Sequence, residues 1–243
     1  MLHPTFEHFL RKVVRRVGLD LHRYHPERSE SHRLVTMLAV HDVDVILDVG
    51  ANTGQFALSM REAGYRSRLV SFEPLSTAHE QLLRNSRGDP RWEVAPRVAI
   101  GDHEGEIELY VAGNSVSSSA LAMLQYHVDA APDSVYVSRE RVRLSRLDTM
   151  ASEYWHPGDV PFLKIDTQGY EDRVLNGATN VLERVRGLQL EASLVPLYDG
   201  QQLFDVLIER LRLLGFTIWA IWPGFHDPQS GRTLQVDITF FRK

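Results

Sequence analysis

Four acidic residues stand where short apolar runs end or break. Val45-Ile46-Leu47-Asp48-Val49 stops at Gly50, Arg68 to Phe72 runs into Glu73-Pro74, Val160 to Ile165 ends at Asp166, and Gly187 to Leu190 ends at Glu191. A carboxylate at the end of a buried strand has three uses: it accepts hydrogen bonds from ligand hydroxyls, takes a proton as a general base, or binds a hard cation through oxygen. As proton acceptors the candidates are, in order, Asp166, Glu191, His127 and His226. The chain has no cysteine, which excludes disulfides, cysteine nucleophiles and thiolate zinc sites.

The first run is followed by a turn with two glycines, Gly50-Ala51-Asn52-Thr53-Gly54, and then by Phe56, Ala57, Met60 and Ala63 at helical spacing. This is a strand, a turn and a helix. Glycines reach backbone angles closed to other residues and let a ligand approach the main chain, and the N–H groups that open the helix favour polar or anionic groups. A dinucleotide fingerprint would need glycine where Asn52 and Gln55 stand, which counts against a nicotinamide-dependent dehydrogenase. Glu73, at the end of the neighbouring strand, is placed to accept hydrogen bonds from both hydroxyls of a ribose.

Periodicity then supplies the elements that must position these groups. Strand 45–49, helix 55–63, strand 68–72, helix 76–86 and strand 92–100 alternate as in a parallel sheet with helices on both faces, where ligands bind at the carboxyl ends of strands. Strand 160–166, a helix over Tyr170 to Leu182, strand 187–192, a helix over Gln201 to Leu214 and a strand pair at 216–221 and 234–241 complete the series. Glu106 to Val111 alternates like one arm of a hairpin. Residues 112–138 are irregular and read either as a lid over an acceptor site, with Tyr126 or His127 facing the substrate, or as an ordinary surface loop.

Taken together, Asp48-Val49-Gly50-Ala51-Asn52-Thr53-Gly54, Phe72-Glu73-Pro74 and Lys164-Ile165-Asp166 with Gly169 resemble the S-adenosylmethionine-dependent methyltransferases of the FkbM family over roughly residues 45–240. The resemblance implies a class I (Rossmann-like) α/β fold, a seven-stranded mostly parallel sheet whose last strand is antiparallel. It divides the chain into an N-terminal helical extension, 1–40, and a methyltransferase domain, 41–243. It implies S-adenosylmethionine as cofactor, held by Asp48, Gly50, Ala51, Asn52, Gly54, Glu73, Pro74 and Asp166, with Ala99 and Ile100 beside the adenine. Asp166 and Glu191 are the catalytic candidates. No metal ligand set is assigned, although these two carboxylates are also candidates to share a divalent cation. Family members commonly read D-x-E-G where this chain has Asp166-Thr167-Gln168-Gly169. A glutamine orients by hydrogen bonds but takes no proton and brings no charge to a metal.

The implied reaction is O-methylation of a sugar, or of a related natural-product hydroxyl. The alternatives are a non-catalytic nucleotide-binding module of the same fold and the dehydrogenase already disfavoured. With 243 residues, 43% of them hydrophobic, the chain can bury one sizeable core. Its formal charge of −5 argues against a nucleic-acid surface. Charge is uneven, at +3 over the first 33 residues and −8 in the remainder. There Phe6, Phe9, Leu10, Val13, Val14 and Val17 form an apolar stripe among Arg11, Lys12, Arg15 and Arg16, read either as a helix packed across the domain or as an interfacial helix on an anionic lipid surface. The second reading makes a glycolipid sugar the expected acceptor and the inner membrane face a peripheral location for a cytoplasmic protein. No apolar run is long enough to span a bilayer, and no feature specifies an oligomeric state.

Overall fold

The computed structural model describes Leu10, residues 12–16, 18, 19 and 25–242. Of the N-terminal stripe, Leu10, Val13 and Val14 are helical, while Phe6, Phe9 and Val17 lie outside the described residues.

In chain order the elements are α1 (Glu30–Val40), β1 (Val45–Val49), α2 (Gln55–Glu62), β2 (Arg68–Phe72), α3 (Ser76–Asn85), β3 (Trp92–Val94), β4 (Ala99–Gly101), β5 (Gly105–Ala112), α4 (Gln125–Ala130), β6 (Tyr136–Arg146), α5 (Leu147–Ala151), β7 (Pro161–Ile165), α6 (Glu171–Asn176), α7 (Thr179–Arg184), β8 (Gly187–Ser193), α8 (Phe204–Leu213), β9 (Phe216–Pro223) and β10 (Gln235–Arg242). Every residue of β1 and of β7 is buried, as a strand covered on both faces must be. The main sheet runs β3-β2-β1-β7-β8-β10-β9 and is parallel except for β10, which is antiparallel to both its neighbours. This is the expected sheet. One face packs α5 to α8 in a cluster with Leu47, Leu163 and Ile238, and the other packs Leu34, Met37 and Leu38 of α1 with Ile46 and Phe162.

The sheet also carries a row of polar side chains. Ser71, Asp48, Lys164, Gln189 and Thr239 are register partners on five successive strands, and each is buried. Paired residues on neighbouring strands point to the same face, so the row lies under α1 rather than being scattered.

Two sequence expectations need correction. The strand expected at 92–100 is two strands in different sheets, because Ala95-Pro96 interrupts the ladder and sends β4 to pair with β6. The β5–β6 ribbon takes only residues 112 and 136–138 of the stretch read as irregular, and α4 lies within it, leaving residues 113–124 as an irregular connection between β5 and α4. The helix expected over Tyr170 to Leu182 breaks at Gly177, where a Cβ would sit 1.8 Å from the Gly101 carbonyl oxygen. The Gly177 carbonyl in turn accepts the Asp148 N–H at 3.0 Å. Among the described residues no helix is long and apolar enough to cross a membrane.

Gly177→Ala should therefore push β4 away from the α6–α7 corner and cost about 1–3 kcal/mol, the range for overpacked interiors. A urea unfolding midpoint equal to that of the parent protein would contradict this contact.

Candidate active site

The carboxyl ends of β1, β2 and β7 open on a cavity of about 470 Å³, within the range of small-molecule sites. The turn after β1 forms its floor. Gly50, Asn52 and Gly54 have φ of +80°, +47° and +93°, so the turn demands left-handed backbone at three positions. The space the two glycines provide is used by the protein itself. A Cβ at Gly50 would lie 1.8 Å from the Asp166 carbonyl oxygen, and one at Gly54 would lie 2.7 Å from the Trp92 ring. The side on which these glycines lack a Cβ is thus taken by β7 and by an indole, while Gly50 also lines the cavity.

Of the residues named from the sequence, Gly50, Ala51, Asn52, Glu73 and Pro74 line the cavity on one side of the turn. Ala99, Ile100 and Asp166 line it elsewhere, whereas Asp48 and Gly54 lie outside its lining. Glu73 is 3% exposed. Its Oε2 accepts the Asn52 N–H at 2.7 Å and its Oε1 accepts the Leu75 N–H at 2.8 Å. Burial pushes its pKa up to about 7, against the pull of those two N–H bonds. Each oxygen keeps acceptor capacity for a further donor.

The lining also includes a buried ammonium. Lys164 Nζ is 3.3 Å from Asp48 Oδ1 and 3.5 Å from Asp166 Oδ2, and it donates to the Gly50 carbonyl at 3.4 Å. Burial alone would lower the Lys164 pKa, but Asp48 and Asp166 outweigh it and hold it above its usual value. Burial also raises Asp48, which accepts Ser71 Oγ at 3.3 Å.

Gln168 sits at φ +53° and connects the catalytic candidates. Its Nε2 donates to Asp166 Oδ1 and to Glu191 Oε2, both at 2.8 Å, while the Tyr198 hydroxyl donates to its Oε1 at 2.8 Å. Glu191 also accepts from Gln235 Nε2 at 2.7 Å and is not a lining residue. Burial and the Asp166 and Asp237 carboxylates raise its pKa well above the usual range. The bridging position that a cation shared by Asp166 and Glu191 would need is filled by an amide nitrogen. Among the described residues no group of three or more His, Asp or Glu is arranged to hold a metal.

The irregular connection reaches the cavity through its serines. Ser115, Ser118 and Ser119 line it, and Ser119 Oγ donates to the Gln168 carbonyl at 2.7 Å. Tyr126, His127 and His226 do not line it. His127 is 2% exposed and packs against Tyr198 and Phe225, each with ring centroids 5.1 Å away. Burial lowers its pKa to about 4. His226 lies exposed on the β9–β10 connection.

Sequence reasoning missed Glu30, Gln189, Asp237 and Glu171. Glu171 is buried and its Oε1 accepts the Thr167 and Gly169 N–H groups at 3.0 and 3.1 Å, bracing the turn after β7. Burial raises its pKa to about 7. Gln189 and Asp237 carried a signal, each being a polar residue inside an apolar strand. Glu30 carried none, since only the docking of α1 brings it to the cavity.

Residues 48–218 match the family model described as Methyltransferase FkbM domain. The chain belongs to this family. It is 29% identical over 205 residues to the AMB antimetabolite synthetase AmbE of Pseudomonas aeruginosa, covering 72% of this chain and 10% of AmbE. It is 25% identical over 186 residues to the 2-O-methyltransferase NoeI of Sinorhizobium fredii, covering 74% of this chain and 76% of NoeI. Identity to the hexuronic acid methyltransferase AglP of Haloferax volcanii is 26% over 151 residues, covering 61% of this chain and 55% of AglP. The chain therefore spans about a tenth of AmbE and about half of AglP.

Lys164→Met should cost about 3–5 kcal/mol, because it strands Asp48 as an uncompensated buried charge. Adding Asp48→Asn should return part of that loss. Urea denaturation of the single and double variants measures both, and additive losses would show that the pair is not coupled.

Proposed function

We propose that this FkbM-family chain transfers the methyl group of S-adenosylmethionine to a hydroxyl of a sugar. The observation that carries the reading is that Glu73 of the β2 end and Asp166 of the β7 end line one cavity, on either side of the β1 turn. A relative named as a 2-O-methyltransferase and another named as a hexuronic acid methyltransferase support a hydroxyl acceptor on a sugar. The basic amphipathic stripe in residues 6–17 supports the finer version, a glycolipid sugar presented at a membrane face.

The residues present fit such a cofactor. Glu73 offers a desolvated carboxylate with one backbone N–H on each oxygen and room for one hydroxyl donor on each. Gly50, Ala51, Asn52 and Pro74 complete that side of the cavity, and the aliphatic Ala99 and Ile100 offer an apolar surface for a base. When bound, the cofactor supplies a methyl group on a sulfonium, a leaving group that needs no further activation. The protein's task is then alignment and removal of the hydroxyl proton. Asp166 is the proposed proton acceptor, with Lys164 and Gln168 fixing its two oxygens. Glu191 is proposed to act through Gln168, holding the amide that orients Asp166.

Two expectations test this. Glu73→Ala should weaken S-adenosylmethionine binding by about 1–3 kcal/mol, the cost of charge-assisted hydrogen bonds to a buried group. Hydroxyl donors bind the ionised carboxylate more tightly than the neutral acid, so affinity should fall as pH drops from about 8 to about 6, whereas Glu73→Gln should bind weakly with a flat profile. Calorimetry across pH decides it, and a parent profile as flat as that of the variant would remove Glu73 from the cofactor site. Asp166→Asn should lower turnover on a panel of glycosides far more than it lowers cofactor affinity. Cofactor binding with no transfer to any hydroxylated acceptor would favour a non-catalytic binding module instead.

A further inference from the structure

Beyond β1, on the side away from Glu73, the cavity wall is made by Glu30 at the start of α1, Gln189 of β8 and Asp237 of β10. Gln189 is 4% exposed; its Nε2 donates to Glu30 Oε1 at 2.6 Å, and its Oε1 has no hydrogen-bond partner. Among the described residues no hydrogen bond to the Asp237 carboxylate is formed, although Asp166, Glu30 and the Lys164 ammonium lie near enough to act on its charge. Burial, reinforced by those two carboxylates, raises the Asp237 pKa to about 7. A buried amide oxygen without a donor beside a carboxylate without a hydrogen bond leaves acceptor positions on this wall open to the donors of a ligand.

The charged residues of the lining are mostly acidic. Among the described residues the lining contains four carboxylates, Glu30, Glu73, Asp166 and Asp237, against one cation, Lys164, and no arginine or histidine. Lys164 pairs with Asp48 and Asp166 and acts on Asp237 only at longer range. We propose that Glu30, Gln189 and Asp237 form the acceptor subsite, and that it selects an uncharged or amine-bearing hydroxyl-rich ring over a ring carrying a carboxylate.

The chemistry is direct. Ring hydroxyls donate to the unpartnered Gln189 and Asp237 oxygens, and an ammonium would also offset the local negative charge. A ring carboxylate brings only acceptors and a like charge into a partly desolvated wall with no guanidinium to receive it. An acidic sugar such as the one in AglP's name is therefore the wrong partner for this wall. The subsite's catalytic use rests on the methyl-transfer reading, whereas its binding preference does not.

The test uses the full chain saturated with S-adenosylhomocysteine and three probes: methyl glucoside, methyl glucosaminide and methyl glucuronide. Ligand-observed NMR should show the first two binding at least about tenfold more tightly than the glucuronide. Glu30→Gln with Asp237→Asn should reduce that preference severalfold, and Gln189→Leu should weaken the two preferred glycosides. Affinity for S-adenosylhomocysteine, measured by calorimetry, confirms that each variant is folded, and Asp237→Asn alone serves if the double variant is not. Glucuronide binding as tightly as glucoside, a preference untouched by the variants, or no binding by any probe would each overturn the subsite. Selective glucoside binding without methyl transfer would sink the transfer reading and leave the subsite standing, and efficient transfer to glucuronide would do the reverse.

Discussion

A single buried ammonium fixes how the strands of this FkbM methyltransferase domain meet. Lys164 reaches Asp48 on β1, Asp166 at the end of its own strand and the carbonyl of Gly50, so one cation joins the strand, the turn and the neighbouring strand end. Three partners are needed because an ion out of water is stable only when its neighbours replace the lost hydration. The Gly50 turn then has one position available, with the Asp166 carbonyl packed where a side chain would be. Asp48 never touches the cavity and still shapes it, through the lysine it holds.

Polar residues crossing the sheet beneath α1 extend that constraint sideways. Ser71 and Asp48 hydrogen-bond at one end of the row, Lys164 bridges the middle, and Gln189 continues it to β8, where Glu30 meets it from the helix. Next to this row lie Asp166, Glu191 and Asp237, the last two being register partners. The sheet thus has one face largely greasy and another with a polar band, and the cavity opens where that band reaches the strand ends.

Much of this was legible in the sequence, for a definite physical reason. A charge at the end of an apolar run marks a strand end, and at Glu73 and Asp166 that end lines the cavity, whereas the same pattern at Asp48 and Glu191 marks carboxylates that do not line it. The aliphatic pair Ala99 and Ile100 was named by resemblance, and it lines the cavity although the strand around it was drawn too long. What stayed hidden depends on contacts between distant segments. The break at Gly177 exists because Gly101 packs against it, and Glu30 joins the wall only because α1 lies across β8. His127 misled for the opposite reason, since a histidine inside an irregular stretch looks exposed until Tyr198 and Phe225 enclose it.

The amide at position 168 has one more consequence. It supplies two donors to two carboxylates and one acceptor to a phenol, a set of roles that an amide fills without any mobile hydrogen. A glutamate there would have to arrive as the neutral acid to lie between Asp166 and Glu191, and would give up its place in alkaline solution. Glutamine takes that one proton out of the junction, so the centre of the joint keeps its place while the carboxyls around it titrate.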